Sequence, residues 1–479
     1  MQDEQSIKKG HELELVIESL AYGGQGVARI DNFVVLVNGA IPGQKVMARI
    51  IKKKKSYAEA RVLHVLQESG LAVTPRCRHF GSCGGCRFQN LRYDEQIKAK
   101  GEQVKDLLQR LGGMTDFEML PTLPSIDIFA YRNKMEFSFS RQRWLTPVEI
   151  ASDKQFEQQT HYLGFHAKGF FDKVIDLQEC HLVHPVAMEI LTVVRAFARS
   201  SNLDVYSTRD HKGFWRFLII RPSASTDDLM VNIVTSRHNA DVMGELSKIL
   251  VARFPQITSL INGVTSSKAN VAFSEQEFLL FGKPYIIDKL GKYAFRISAN
   301  SFFQTNTKQA ERLYDIVKTY ADLRENETLY DLYCGAGTIS IYLSQAVHRV
   351  VGFESVESAV LDARENSVLN GINNCEFVLT DLKDGLDDPR HIISTFGRPD
   401  IMVLDPPRGG MHPKTVKAVL MLQPEKIVHV SCNPTTLARE LAVLCEREYE
   451  LVSVQPVDMF PHTAHVEVVA LLVRKGRVA

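Results

Sequence analysis

The last third of the chain, from Asn306 onwards, alternates between two spacings of hydrophobic and polar residues. Some stretches repeat apolar residues every three or four positions, as one face of a helix does, and others are short apolar runs typical of buried strands. The pattern predicts helices over Thr307–Tyr320, Thr338–Ala346 and Glu357–Leu369, and strands over Thr328–Tyr333, Arg349–Phe353, Glu376–Leu379, Ile401–Leu404, Lys426–Val430, Tyr449–Val454 and His465–Val473. Strands that alternate with helices in this way indicate an α/β fold with a doubly wound, mostly parallel sheet.

The first part of the chain, from about Gly10 to Gln67, has short strands separated by glycine-rich turns. The predicted strands are Glu12–Glu18, Phe33–Val37, Lys45–Ile51 and Tyr57–Val65. Short strands of this kind favour a small closed barrel similar to the OB-fold. The lysine run Lys52–Lys55 fits a solvated hairpin tip, and beside Tyr57 it also fits a surface that binds nucleic acid.

The middle of the chain, from about Tyr131 to Phe303, is rich in predicted strands and contains one predicted helix, Pro185–Arg199. The strands include Lys134–Ser140, Phe214–Ile220, Leu229–Thr235 and Tyr293–Ser298. An amphipathic helix over Tyr93–Leu111 precedes them and ends at two glycines. We therefore expect three domains, at residues 1–70, 71–300 and 301–479, as a length of 479 residues also suggests.

Composition narrows the class of protein. The net charge is +1 and charged residues make up 24% of the chain, so any binding of nucleic acid depends on local basic patches. The apolar runs are no longer than strands, and Met1–Gln5 has no signal-peptide character. Eight cysteines are too few for a disulfide framework in a chain of this length. We expect a cytoplasmic protein outside the membrane, with cysteines used for metal binding or catalysis.

A ligand site is predicted where the first strand of the α/β domain ends. Asp331 precedes the turn Gly335–Gly337, where the backbone can approach a ligand closely at the start of a helix. The next strand ends at Glu354, where a carboxylate can bind both hydroxyls of a ribose. A dinucleotide fingerprint has a third glycine where this chain has Ser340, so NAD is disfavoured. The arrangement resembles the S-adenosylmethionine site of class I methyltransferases.

A second acidic motif, Asp405-Pro406-Pro407-Arg408, follows the fourth strand. The topological switch point of such a sheet lies between its first and fourth strands, so Asp405 borders the same crevice. Asp-Pro is common in ordinary turns, but Asp-Pro-Pro after a buried strand is more specific. Methyltransferases of this fold that act on amino groups carry an aromatic residue where this chain has Arg408, which indicates a different methyl acceptor.

Cys432 and Glu467 are the candidates for chemistry. Cys432 lies between a strand and a helix opened by Pro434, and a thiol near a helix N-terminus can have a lowered pKa and act as a nucleophile. Most lone cysteines, however, are small buried hydrophobes. Glu467 stands inside an apolar run, where burial raises the pKa of a carboxyl towards that of a useful base. The alternative is that Glu467 has only a structural role. The presence of both Cys432 and Glu467 favours a catalytic role for the pair.

A nucleophilic thiol, a base and a methyl donor are the parts required to methylate carbon 5 of uracil. That carbon is too poor a nucleophile to take a methyl group unaided. A thiolate that adds to carbon 6 turns carbon 5 into an enolate carbon, which can then take the methyl group. A base removes the proton from carbon 5, and elimination frees the thiol.

Three cysteines, Cys77, Cys83 and Cys86, lie close together on a glycine-rich stretch, and a fourth, Cys180, lies far downstream. Thiolates are ligands both for structural zinc and for iron–sulfur clusters. The spacing alone leaves both metals open.

Five segments match, in order, one family of enzymes: Ser298–Asn306, Asp331–Gly337, Asp405–Arg408, Ser431–Pro434 and His465–Glu467. They resemble the RNA uracil-5-methyltransferase family. The resemblance implies Cys432 as nucleophile, Glu467 as general base and Phe302 near the flipped base. It also implies S-adenosylmethionine contacts from a set of residues spread over the α/β domain: Gln304, Tyr333, Thr338, Glu354, Asp381 and Asp405.

The N-terminal half indicates a branch of that family. Its first strands resemble the TRAM domain, an RNA-binding barrel, and the four cysteines are similar in spacing to the [4Fe-4S] site of members that act on ribosomal RNA. We expect a monomeric enzyme that makes 5-methyluridine in 23S ribosomal RNA. The alternatives are the same chemistry on tRNA and a non-catalytic RNA-binding or ribosome assembly factor. By the same resemblance, the helix Tyr93–Leu111 is expected to pack on the C-terminal domain.

Overall fold

Six strands at the N-terminus surround an apolar core of their own. The computed structural model describes residues 7–145, 147–150, 152 and 160–476. The strands are β1 (Glu12–Val16), β2 (Ser19–Ala21), β3 (Gln25–Ile30), β4 (Phe33–Asn38), β5 (Lys45–Lys53) and β6 (Tyr57–Gln67). They follow the order β1-β5-β6-β4-β3-β2, and every pair is antiparallel except β4 with β6. Alternate residues such as Leu15, Val35 and Ala60 are buried in the core, as the period of two in the sequence predicts.

A long helix then connects the N-terminal half to the end of the chain. Helix α1 (Tyr93–Arg110) is followed by a two-residue strand, β7 (Glu118–Met119). The helix buries Val104 and Leu108 in an apolar cluster with Leu437 and Leu441, near the C-terminus. Lys100 is fully buried on the same helix, and its Nζ lies 2.6 Å from Oδ1 of Asp458. The helix therefore packs on the C-terminal domain.

The central region contains one large sheet with helices against it. Its strands are β8 (Met135–Ser140), β9 (Gln142–Arg143), β10 (Tyr162–His166), β11 (Lys173–Asp176), β12 (Trp215–Pro222), β13 (Leu229–Thr235), β14 (Ser259–Val264) and β15 (Gln276–Gly282). They follow the order β15-β14-β13-β12-β8-β10-β11-β9. The helices are α2 (Pro147–Ile150), α3 (Val186–Ser200) and α4 (Ala240–Arg253).

The prediction of a single helix in the central region was wrong, because α4 was left out. Its N-terminus is capped by Asn239, whose side chain accepts a hydrogen bond from the amide of Val242. Only Met243, Leu246 and Leu250 of this helix are buried, so its apolar stripe is narrow and easily overlooked.

The C-terminal region is a doubly wound α/β domain, which confirms the predicted fold class. Its strands are β16 (Tyr285–Leu290), β17 (Tyr293–Ser298), β18 (Thr328–Leu332), β19 (Arg349–Glu354), β20 (Cys375–Leu379), β21 (Ile401–Leu404), β22 (Lys426–Ser431), β23 (Tyr449–Val457) and β24 (Glu467–Arg474). Its helices are α5 (Thr307–Ala321), α6 (Thr338–Leu343), α7 (Glu357–Leu369), α8 (Leu382–Gly385), α9 (Pro389–Phe396), α10 (Pro413–Leu422) and α11 (Pro434–Leu444). Strands β16 and β17 form a hairpin whose apolar residues join the core of this domain.

The order of the main sheet is β20-β19-β18-β21-β22-β24-β23-β7. Strands β18 to β22 are parallel to one another, whereas β24 is antiparallel to both of its neighbours. The chain leaves β18 for β19 on one side and later returns to β21 on the other, so the switch point lies between β18 and β21. The carboxyl ends of these strands meet at one edge of the sheet. Among the described residues, no helix has the length and apolar character needed to cross a membrane.

Candidate active site

The turn between β22 and α11 holds Cys432 in place at this edge. Asn433 caps the helix, and its Oδ1 accepts a hydrogen bond from the amide of Thr435 at 3.1 Å. Its Nδ2 donates to the carbonyl of Arg408 at 3.0 Å, which joins the turn to the loop after β21. The hydroxyl of Ser431 accepts a bond from the amide of Asn433 at 3.2 Å. These bonds fix the backbone around Cys432, whose side chain is partly exposed.

The pKa of the Cys432 thiol is raised to about 11, mainly by burial. The negative charges of Glu467 and Asp405 raise it further, and Arg408 opposes them. The sequence suggested a lowered pKa from the helix N-terminus, and that direction was wrong. Burial and two nearby carboxyls outweigh the helix end, because each of them disfavours another negative charge.

Glu467 lies opposite Cys432 across the antiparallel pair of β22 and β24. The last pair of that ladder joins Ser431 to Val468, and Cys432 and Glu467 follow directly beyond it. Glu467 is only 5% exposed, and burial raises the pKa of its carboxyl to about 8, with Asp405 adding to the increase. The residue opens β24, where the sequence had placed it inside a longer strand. The ladder thus brings a thiol and a carboxyl of raised pKa together.

The turn after β18 leaves room for a ligand. Gly335 has a φ of +54°, and a Cβ built there would meet no atom within 4 Å. Gly337 has a φ of +75°, and a Cβ there would lie 2.9 Å from the ring of Phe377, so this glycine allows close packing instead. The amide of Gly335 donates to Oε2 of Glu354 at 3.1 Å, which ties the ends of β18 and β19 together. Tyr333 opens the turn with a φ of +67°.

Two further carboxyls border this turn. Asp331 is fully buried, and its Oδ2 accepts a hydrogen bond from the hydroxyl of Ser340 at 2.6 Å. Its Oδ1 has no partner among the described residues. Burial raises the pKa of Asp331 to about 7. Burial also raises the pKa of Asp405, on the neighbouring strand end, to about 7, with a contribution from Asp331. Ser340, the departure from the dinucleotide pattern, thus serves as the partner of a buried acid.

The other residues predicted to contact S-adenosylmethionine do not all share one environment. Thr338 opens α6, and its hydroxyl shares a hydrogen bond of 2.9 Å with that of Tyr314. Asp381 follows β20 at the same edge of the sheet but is exposed, and an ion pair of 2.8 Å with Lys383 accompanies a lowered pKa. Gln304 is buried between β17 and α5. The structure therefore brings Tyr333, Glu354, Asp381 and Asp405 to the carboxyl ends of neighbouring strands, with Asp381 exposed, whereas Gln304 is buried between β17 and α5.

The four cysteines of the N-terminal half line one cavity. Burial raises the pKa of Cys83, Cys86 and Cys180 to about 11 each, and neighbouring thiols add to the increase. The side chain of Gln89 is buried beside them: its Nε2 donates to Sγ of Cys86 at 3.2 Å, and its Oε1 accepts from the amide of Cys77 at 3.1 Å. Within the described ranges, no group of three or more His, Cys, Asp or Glu side chains converges on a single ion.

The same cavity, of about 970 Å³, extends to Phe302, which is 65% exposed. Arg132, Lys134 and Lys168 also line it. An exposed aromatic ring among basic side chains suits a nucleic-acid base and its phosphates.

Two contacts at this site could not be predicted from local sequence patterns. The hydroxyl of Tyr22, in the turn between β2 and β3, donates to Oδ1 of Asn433 at 3.4 Å. Glu440 on α11 accepts a hydrogen bond from the amide of Met411 at 2.6 Å, and its other oxygen lies 2.7 Å from Nε2 of His429.

This sheet order, with the acidic strand ends and the Gly-x-Gly turn at the switch point, defines a class I S-adenosylmethionine-dependent methyltransferase. A family model described as tRNA (uracil-5-)-methyltransferase matches residues 227–475, and a TRAM-domain model matches residues 7–63. The chain belongs to the tRNA (uracil-5-)-methyltransferase family and carries a TRAM domain at its N-terminus. The expectation of an RNA methyltransferase that uses S-adenosylmethionine is confirmed.

Relatives match the chain over nearly its whole length. It is 44% identical over 476 residues to an uncharacterized RNA methyltransferase of Chlorobaculum tepidum, and the match covers 99% of this chain and 98% of the relative. An RNA methyltransferase of Porphyromonas gingivalis is 43% identical over 464 residues, or 96% of this chain and 99% of the relative. The crystal structure of Pyrococcus abyssi tRNA (uracil-54, C5)-methyltransferase in complex with S-adenosyl-L-homocysteine is 30% identical, with a TM-score of 0.72, and covers 96% of this chain and 99% of that one.

Proposed function

We propose that this enzyme forms 5-methyluridine with Cys432 as the nucleophile and Glu467 as the general base. The observation that carries the proposal is the position of these two residues, which directly follow the last pair of the β22–β24 ladder. Both lie at the sheet edge that ends in the Gly-x-Gly turn and Asp405.

Each step uses a group at that edge. The Cys432 thiolate adds to carbon 6 of the uracil, and the electron pair of the 5,6 double bond makes carbon 5 an enolate carbon. S-adenosylmethionine, when bound, supplies the methyl group that carbon 5 takes. The Glu467 carboxylate then removes the proton from carbon 5, and the carbon–sulfur bond breaks to return the thiolate. A carboxyl with a pKa of about 8 takes up a proton near neutral pH more readily than an ordinary one does.

The residues at the strand ends fit this methyl donor. The open space beside Gly335 leaves room for a ligand against the backbone, and the unpartnered Oδ1 of Asp331 is a free acceptor. We propose that the donor is held by Gln304, Tyr333, Thr338, Glu354, Asp381 and Asp405.

A cysteine substitution tests the chemistry. Cys432→Ala should abolish methyl transfer while binding of S-adenosylmethionine persists. Cys445→Ala, at the other end of α11, is the matched control and should keep full activity. RNA containing 5-fluorouridine should form a covalent adduct with the wild type and not with Cys432→Ala. Turnover by Cys432→Ala would refute the mechanism, and failure of the wild type to form an adduct would favour a non-catalytic RNA-binding role.

We also propose that Cys77, Cys83, Cys86 and Cys180 hold a [4Fe-4S] cluster. A zinc ion needs its sulfur ligands about 2.3 Å from one point, whereas a cluster spaces its ligands around its own volume. Four thiols that line one cavity supply the set of ligands that such a cluster needs, and their spacing resembles that of the ribosomal branch of the family.

The cysteine loop also supports the segment that leads to Glu467. The amides of Arg87 and Phe88, directly after Cys86, donate to the carbonyl of His462 at 2.7 and 3.1 Å. A bound cluster would stabilise this loop. Iron and sulfide analysis of anaerobically purified protein should give four of each per chain for a [4Fe-4S] cluster, and Cys180→Ser should lower both, with Cys375→Ser as the control. Stoichiometric zinc without iron would contradict the proposal.

The RNA substrate is proposed to be 23S ribosomal RNA, because the TRAM domain and the cysteine set together resemble the ribosomal branch. Methylation of tRNA is the second candidate, because the similar Pyrococcus abyssi structure is a tRNA enzyme that matches 96% of this chain. Mass-spectrometric mapping of 5-methyluridine in both RNAs, from cells with and without this gene, distinguishes the two. Loss from tRNA alone would refute the ribosomal proposal.

We further propose that the enzyme acts as a cytoplasmic monomer. One chain supplies the nucleophile, the base and the strand ends of the cofactor site, so the site needs no second copy. Light scattering on the purified protein should give the mass of a single chain, 54.0 kDa. A dimer that persists at nanomolar concentration would contradict this.

A further inference from the structure

The TRAM domain reaches the turn that carries Cys432. Tyr22 lies between β2 and β3, and its hydroxyl donates to Oδ1 of Asn433 at 3.4 Å. Its ring packs against the apolar core of the methyltransferase domain, which includes Leu437 and Val466. Asn433 follows Cys432 directly, and Val466 precedes Glu467. The hydroxyl of one barrel residue thus contacts the residue after the nucleophile, and its ring packs against the apolar cluster that contains the residue before the base.

The same barrel turn is fixed to its surroundings by close packing. Gly24 has a φ of +85°, and a Cβ there would lie 3.2 Å from both Ala464 and the ring of Phe88. Leu20 belongs to a buried cluster with Phe88 and Ala464, and its carbonyl accepts a hydrogen bond from Gln103 of α1 at 3.1 Å. The barrel is therefore joined to the catalytic domain by the residues that flank Tyr22.

Asn433 connects three parts of the site through one amide group. Its Oδ1 accepts from the amide of Thr435 and from Tyr22, and its Nδ2 donates to the carbonyl of Arg408. The orientation of this amide sets the start of α11 and the position of the loop after β21. Loss of the bond from Tyr22 leaves the amide less restrained, beside the reacting thiol.

The Tyr22 hydroxyl also shares the electrostatic environment of the reacting groups. Burial raises its pKa, and the charges of Cys432 and Glu467 raise it further, whereas Arg408 opposes them. The hydroxyl therefore stays protonated and able to donate at physiological pH.

We propose that Tyr22 is a positioning residue for methyl transfer: the barrel turn holds Asn433, and through it the Cys432 turn and the Arg408 loop. The TRAM domain is then a structural part of the active site as well as a surface for RNA. The inference rests on the proposed role of Cys432 as the nucleophile.

The test is Tyr22→Phe in the full-length enzyme, which keeps the ring and removes the hydroxyl. The kcat should fall about tenfold, because a small displacement at the reacting thiol is costly. The KM values for RNA and S-adenosylmethionine and the melting temperature should remain unchanged. Adduct formation with 5-fluorouridine RNA should slow by the same factor as kcat. The matched control is Tyr320→Phe, a half-buried tyrosine bonded to Ser453 on β23, which should keep the wild-type kcat.

A double-mutant cycle shows whether Tyr22 acts through Asn433. On an Asn433→Ala background, Tyr22→Phe should cause no further loss of kcat. Independent, multiplicative losses would overturn the proposal, as would a wild-type kcat for Tyr22→Phe or a loss seen only in the KM for RNA. If Cys432→Ala retains turnover, the proposed mechanism itself fails. If Cys432→Ala is inactive and Tyr22→Phe behaves as wild type, only this inference fails.

Discussion

Glu467→Gln should abolish turnover and at the same time stabilise the protein. The carboxyl of Glu467 is 5% exposed, and its pKa rises from 4.5 to about 8 on folding. A carboxyl whose pKa is raised in the folded state favours folding only while it is protonated. That contribution is complete below pH 4.5 and is lost as the pH rises through 8. Glutamine stays neutral at every pH and avoids the loss.

The size of the effect follows from the two pKa values. Each pH unit between 4.5 and 8 lowers the free energy of unfolding of the wild type by about 1.4 kcal/mol. The substitution should therefore stabilise the protein by about 1 kcal/mol at pH 5, about 3 kcal/mol at pH 7 and about 5 kcal/mol above pH 8. In a domain of the size of residues 301–479, about 3 kcal/mol corresponds to a rise in Tm of about 6 to 12 °C.

Thermal unfolding of wild type and variant at pH 5, 7 and 8.5 measures this difference, and methyl transfer at pH 7 confirms the loss of the base. Glu245→Gln, exposed on α4, is the control and should change stability by less than about 0.5 kcal/mol at each pH. The reasoning is refuted if Glu467→Gln is no more stable than wild type at pH 7. It is equally refuted if the gain at pH 5 matches the gain at pH 8.5, because the stabilisation would then be independent of proton binding.

Three further outcomes are expected. Lys100→Met should destabilise the protein by about 3 to 5 kcal/mol in urea unfolding, because it leaves the buried carboxylate of Asp458 without its cation. Adding Asp458→Asn should recover most of the lost stability. Glu440→Ala should release the amide of Met411 and, through the Arg408 loop, lower kcat about tenfold. The affinity for S-adenosylmethionine, measured by calorimetry, should not change. An unaltered kcat would exclude a positioning role for Glu440. The carboxyls of the site lose protons between pH 6 and pH 9, so binding of the positively charged S-adenosylmethionine should strengthen over that range. Binding of the neutral S-adenosylhomocysteine should not strengthen, and an equal pH dependence of the two affinities would contradict the prediction.

The fold of the C-terminal domain could be predicted because its signals are local. Predicted and observed bounds agree for the helix Glu357–Leu369 and the strand Ile401–Leu404. The strand is a continuous apolar run that is buried on both faces, as expected in the middle of a parallel sheet. Helix α4 was missed because only three of its side chains, Met243, Leu246 and Leu250, are buried, so its sequence carries a weak period.

The candidate site was predictable only in part. Cys432 and Glu467 could be proposed from strand ends and from the family resemblance, because both lie within short motifs. The contact of Tyr22 with Asn433 joins residues 411 positions apart, and no local pattern encodes it. The pKa of Cys432 also depends on burial by elements distant in sequence, so reasoning from the helix N-terminus alone predicted the opposite direction.

The electrostatics of the site suggest how a thiol with a pKa of about 11 becomes a nucleophile. The acidic groups of the site form a series in which each raises the pKa of the next. Asp331 acts on Asp405, Asp405 on Glu467, and Glu467 on Cys432. Such a concentration of acids favours a cation over a neutral ligand in its place. The sulfonium of S-adenosylmethionine is positive, whereas the product is neutral. A positive charge at the strand ends would lower the pKa of every acid in this series, including the thiol. The thiol is therefore expected to be most reactive when the methyl donor is present, and to return to its protonated form after elimination has freed it and the donor site holds only the neutral product.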